Sequence, residues 1–232
     1  MCGNRLPQRT NFRTCTPFFC KRSAHECSLP LATMTTAPIW EYRLERLYVD
    51  QNSGYVVEVI PDLVCWLDSR GQDGVHRFEV REDTSAGALT HVLDVSWSIA
   101  ELEKHDPRLK ADLARYRARQ TLRLEDRAKM AAYGLAMIAI SCILKRRVVD
   151  VSYYRAPDLL LDTTPSALRG VEVAGRSGNG YAGLKQIMDG SSGKNPRIGK
   201  RAQLLEMQDV VEAYLSLWCC DPKVSFWVKV KP

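Results

Sequence analysis

The stretch Ala156–Arg176 reads APDLLLDTTPSALRGVEVAGR. A Pro-Asp pair opens one short apolar run, and Glu172 sits inside a second. The two runs predict neighbouring strands, and neighbouring strands lie about 5 Å apart. Asp158 and Glu172 are therefore expected to converge on one hard cation, which prefers oxygen ligands. Ala174 stands two residues beyond Glu172, so no basic side chain follows the second acid at that spacing.

Working outward, the pattern predicts strands over 148–153, 159–161 and 170–173, a helix or two across 181–217, and a last strand over 224–230. Val224, Phe226, Val228 and Val230 alternate with Ser225, Trp227, Lys229 and Lys231. That alternation predicts a strand with one buried face, placed at a sheet edge. Ahead of these runs, Met130–Leu144 (MAAYGLAMIAISCIL) is apolar but shorter than the roughly 20 residues a bilayer requires. With Arg127, Lys129, Lys145, Arg146 and Arg147 flanking it, it reads as a buried core helix whose ends reach water. The fold class is α+β or α/β, a mixed sheet flanked by helices in αβββαβ order.

That order, with Pro157-Asp158 at the second strand and Glu172 on the third, resembles the core of the PD-(D/E)xK nuclease superfamily, over about residues 124–230. The resemblance implies a restriction-endonuclease-like core in which Asp158 and Glu172 hold Mg²⁺, with Glu125 or Asp126 as an additional acid. It implies phosphodiester hydrolysis of nucleic acid. Ala174 occupies the place of the superfamily's lysine, so the site is degenerate; Arg176, two residues on, and Lys185, on the next helix, are the candidates for the missing group. Arg is a poor replacement because its pKa precludes proton transfer. The alternative is a noncatalytic module on the same fold that binds nucleic acid or protein.

Two basic segments are candidate nucleic-acid contacts. The stretch ADLARYRARQTLRLEDRAKM interleaves Arg115, Arg117, Arg119, Arg123, Arg127 and Lys129 with apolar residues, and could track a phosphate backbone or form a solvated helix face. The loop Asp189–Arg201 (DGSSGKNPRIGKR) offers Lys194, Arg197, Lys200 and Arg201. Between them, Gly175–Lys185 is a glycine-rich connection that could cradle phosphate through backbone amides, although it lacks the ending of a Walker A motif.

The region 34–97 is expected to be antiparallel β, with runs at 55–60, 63–67, 77–81 and 89–95 separated by turn residues. A helical stretch over about 98–144 follows, interrupted near Asp106-Pro107, with Ser98 and Glu101 as a capping box. The first 33 residues carry Cys2, Cys15, Cys20 and Cys27 without periodicity and read as a leader or an over-extended start before Met34; zinc on Cys15, Cys20, His25 and Cys27 is the competing reading. The whole chain of 232 residues, 45% hydrophobic and 26% charged with a net charge of +6, has ordinary globular composition, which argues against wholesale disorder. The other four cysteines, Cys65, Cys142, Cys219 and Cys220, lie in apolar runs as buried thiols do. A cytoplasmic protein with no membrane partner is expected, and a homo-oligomer is compatible with the sequence.

Overall fold

A computed structural model of the chain describes residues 39–232 apart from 70, 85–86, 119–123, 153–154 and 192–195. The expectations for residues 1–33 lie outside the described residues. The chain enters at Ile39–Arg43 (β1), passes a 3-10 turn at Leu44–Arg46 and a single helical turn at Leu47–Asp50 (α1), and then forms Ser53–Leu67 (α2). This last helix replaces the two strands expected at 55–60 and 63–67. Its β-branched residues favour strand, but Val56, Val59, Ile60, Leu63, Val64 and Leu67 recur at helical spacing and are all buried. The Asn52 side chain caps it, accepting from the Gly54 amide at 3.0 Å. Tertiary packing of that one apolar stripe overrides local propensity.

Gly74–Thr84 (β2) and Gly87–Trp97 (β3) form the expected antiparallel hairpin. Ile99–His105 (α3), Leu109–Arg117 (α4) and Leu124–Ala139 (α5) follow, broken at Asp106 as Pro107 requires. Ser98 begins α3 without a side-chain cap, and its amide donates to Glu45 Oε1 at 2.8 Å, so the reciprocal bond with Glu101 does not form. Instead Glu101 pairs with Lys104. A π-helical turn over Ile140–Leu144 ends α5, and Gln51 ties it down by donating to Ser141 Oγ at 2.7 Å and accepting from Val148 N at 2.8 Å. Residues 126–144 are long and apolar enough to cross a membrane by length and composition; most of that helix is buried inside the fold.

The remaining elements are Asp150–Val151 (β4), Leu159–Asp162 (β5), Leu168–Arg176 (β6), Gly180–Asp189 (α6), the short pair Gly190–Ser191 (β7) and Arg197–Ile198 (β8), Lys200–Glu206 (α7), Val210–Cys219 (β9) and Val224–Lys231 (β10). Eight strands make one mixed sheet in the order β1-β3-β2-β10-β9-β6-β5-β4. Residues 210–217, expected to be helical, are therefore strand. They escape the period-two test because both faces are buried: Leu215, Leu217 and Cys219 meet α6, while Tyr214 and Trp218 join the opposite core. The last strand, expected at an edge, is central. It runs antiparallel to β9 and parallel to β2, which joins the N-terminal hairpin to the same sheet.

Helices cover both faces. On one side α2 and α5 bury Leu63, Tyr133 and Ala136 with Phe78, Val95, Val171, Val173, Trp218 and Trp227. On the other, Leu184 and Met188 of α6 pack on β9 and β10, and Leu204 of α7 meets Leu168 and Val210. Helix α5 crosses β6 at Gly175, where a Cβ would stand 2.1 Å from the Ala128 carbonyl oxygen; only a glycine admits the helix this close.

Candidate active site at the junction of strands β5 and β6

Strands β5 and β6 pair antiparallel, with Leu159 opposite Val171 and Leu160 opposite Gly170. Continuing that register one residue outward sets Asp158 opposite Glu172, the arrangement in which cross-strand side chains meet. Both acids are buried. The expected convergence of the two carboxylates is present, and their environments differ.

Asp158 is fully engaged. Its Oδ1 accepts from the Tyr133 hydroxyl at 2.6 Å and lies 3.7 Å from Lys129 Nζ; its Oδ2 accepts from the Val173 amide at 2.9 Å. Lys129 and Tyr133 are four residues apart and therefore share one face of α5, with the ammonium 5.4 Å from the ring centre. Glu172 is reached from the opposite layer, where Lys200 at the start of α7 donates to its Oε1. The second oxygen, Oε2, is buried and has no hydrogen-bond partner among the described residues. Burial, and then the charge of Asp158, push the Glu172 pKa up, against the pull of Lys200. The site thus bridges both helical layers.

The candidates named from sequence fall in several places. Arg176 and Lys185 form no ion pair with either carboxylate: Lys185 is exposed on α6, and the Arg176 guanidinium lies against Gly183. The cation beside Glu172 is instead Lys200, expected from sequence as a nucleic-acid contact. Arg201, grouped with it, pairs with Asp83 at 3.2 Å, and Arg197 is exposed. Arg119, Arg123, Lys194 and the Glu125 side chain lie outside the described residues; Asp126 is exposed. Of the other basic residues of that stretch, Arg115 pairs with Asp112, Arg117 bonds the Gly71 carbonyl, and Arg127, in the first turn of α5, bonds the Tyr116 carbonyl and faces its ring. These three side chains are engaged within the fold, while Lys129 of the same stretch reaches Asp158.

Sequence reasoning missed Tyr133 and the siting of Lys129, and also the siting of Lys200. The i, i+4 spacing of Lys129 and Tyr133 was the available signal for the first two; α6 and the β7–β8 pair separate Lys200 from the strand it serves, and no spacing rule reaches across them.

Among the described residues no group of three or more His, Cys, Asp or Glu side chains gathers. The pair that does gather fits Mg²⁺ better than zinc: both donors are carboxylates, and Mg²⁺ is commonly held by one or two carboxylates with water and substrate phosphate completing its shell. The unpartnered Glu172 Oε2 is a buried acceptor still to be satisfied. Compared with family models, curated proteins and solved structures, the chain matches none.

Proposed function

We propose that the chain is a metal-dependent phosphodiesterase acting on nucleic acid, with a nuclease-like site in which Lys200 stands in for the lysine that Ala174 replaces. The observation that carries this reading is the contact of the Lys200 ammonium with Glu172, directly beside Asp158. The order β4-β5-β6-β9, with α5 before it and α6 between the parallel strands β6 and β9, supports a PD-(D/E)xK-like core.

Asp158 and Glu172 would hold Mg²⁺, which when bound supplies charge neutralisation at the scissile phosphate and a more acidic attacking water. The protein's own groups prepare that site. Tyr133 and the Val173 amide fix the Asp158 carboxylate in one rotamer, so its orientation costs little at the moment of binding. Lys200 and Lys129 flank the acids from opposite layers and place ammonium donors where negative charge builds on phosphate oxygens. With Mg²⁺ held by Asp158 and Glu172, neither lysine would be needed to balance the carboxylates, and both would be available to substrate.

A second reading, a noncatalytic binding module, is favoured by one feature: Lys129 and Lys200 already compensate the two acids as the site stands. Cleavage of single- and double-stranded DNA and RNA with Mg²⁺ or Mn²⁺ separates the two. The catalytic reading expects cleavage that falls at least about a hundredfold in Asp158→Asn, Glu172→Gln and Lys200→Met. No cleavage by the intact chain, with nucleic-acid binding intact in all three variants, overturns it in favour of the binding module.

A further inference from the structure

Beyond Lys200, on the α6 and α7 side of Glu172, lies a cavity of about 590 Å³ walled by Arg176, Gln186, Ser191, Arg197, Lys200 and Gln203. None of its described lining residues is acidic. A second cavity of about 360 Å³ adjoins it at Arg176 and Ile187 and is lined by Ser177, Gly178 and Asn179, the turn after β6. Arg176 therefore belongs to both. The residue is half-buried, and its Nε is fully buried without a hydrogen-bond partner among the described residues. A guanidinium carries five donors and cannot discharge itself by losing a proton, so leaving it buried and unmatched is costly. Arg197 likewise makes no ion pair among the described residues. Other arginines of this protein do find carboxylates: Arg77 meets Asp94, Arg146 meets Glu212, and Arg169 meets Asp162.

We propose that the Arg176–Arg197–Lys200 cavity is a phosphate subsite that holds a backbone phosphate of a nucleic-acid strand next to the one placed at Asp158 and Glu172. This rests on the phosphodiesterase reading for the identity of the strand. The chemistry is that of the walls: two guanidiniums that make no ion pair among the described residues offer planar paired donors that match phosphate oxygens, and Gln186, Ser191 and Gln203 add neutral donors. The cavity also lies outside the carboxyl end of β6, where ligands of open α/β sheets bind. Lys200 links the two sites, since its ammonium lies between Glu172 and this cavity.

The test is binding of a short 3′-labelled single-stranded oligonucleotide by fluorescence anisotropy, in EDTA so that no cleavage intervenes, with inorganic phosphate as competitor. Arg176→Gln and Arg197→Gln are each expected to weaken binding about tenfold or more and to lower the slope of log affinity against log salt by about 0.7. Glu172→Gln, which releases Lys200, is expected to bind more tightly while losing cleavage. Arg197 is exposed, so its variant should fold normally, and matching thermal midpoints check this for Arg176→Gln. Unchanged affinity and salt slope in both arginine variants overturns the subsite, whether or not the chain cleaves. Binding lost in the arginine variants with no cleavage under any metal leaves the subsite standing and removes the catalytic reading. Competition by inorganic phosphate as strong as by unlabelled oligonucleotide overturns the assignment to a strand, in favour of a free phosphate ion.

Discussion

Replacing Lys200 with Met removes the one cation that, among the described residues, is bonded to the buried Glu172 carboxylate, which already faces a second acid. Breaking a fully buried ion pair from one side costs about 3–5 kcal/mol, because the remaining charge is left uncompensated. Lys200 keeps 29% of its side chain exposed, so water offsets part of the loss and about 2–3 kcal/mol is expected near neutral pH. For a domain of this size that lowers the thermal midpoint by about 5–10 °C. The loss depends on pH. Burial and Asp158 already hold the Glu172 pKa above its ordinary value, and without Lys200 it rises further. An acid whose folded pKa lies above its unfolded pKa favours the folded state at low pH and loses that contribution as pH climbs through the folded pKa. Urea denaturation of the variant and the intact chain at about pH 5 and about pH 8 should therefore show a much smaller difference at the lower pH. A Lys200→Met/Glu172→Gln double variant should recover most of the loss at the higher pH, since position 172 then has no uncompensated charge to bury, while Asp158 keeps Lys129. Equal destabilisation at both pH values, or a double variant no more stable than the single one, refutes the reasoning.

Two further predictions concern Asp62 and Gly175. Asp62 on α2 is buried, and burial pushes its pKa up to about 6 against the hydrogen bond from Tyr116; its charged form should cost about 3 kcal/mol, appearing as pH rises from about 4 to 6, and Asp62→Asn should flatten that fall in a pH series of unfolding curves. Gly175→Ala drives a methyl group against the Ala128 carbonyl. It should destabilise the fold by about 2–3 kcal/mol and reduce cleavage by shifting Lys129 and Tyr133 away from Asp158, measured by thermal melts and by the cleavage assay on the folded fraction.

The pairing of Asp158 with Glu172 was legible because it depends on two adjacent short strands. Residues fourteen apart in sequence, with turn residues between them, have little choice but to lie side by side when both runs enter an antiparallel pair. The hairpin of β2 and β3 was legible for the same reason, since its alternation matches a sheet with one face packed. The helix α2 was not, because its valines and isoleucine carry a strand preference that weighs less than burying Val56, Ile60, Leu63 and Leu67 against α5. Strand β9 was hidden by burial on both faces, which erases the alternation that marks a strand.

The sequence by itself determined which residues could supply the acids, that Ala174 leaves no lysine at the expected spacing, and that an apolar helix precedes the strands. These are properties of local spacing and of side-chain type. Only the tertiary structure decided that β10 is central and carries the N-terminal hairpin into the same sheet, and that Lys129 and Lys200 arrive at the acids from opposite layers. It alone left Arg176 and Arg197 facing a shared cavity with no ion-pair partner among the described residues. Those placements depend on how the crossover through α6 and the approach of α5 to Gly175 set separate segments against each other, and contacts between residues distant in the chain leave no period or spacing for a sequence to display.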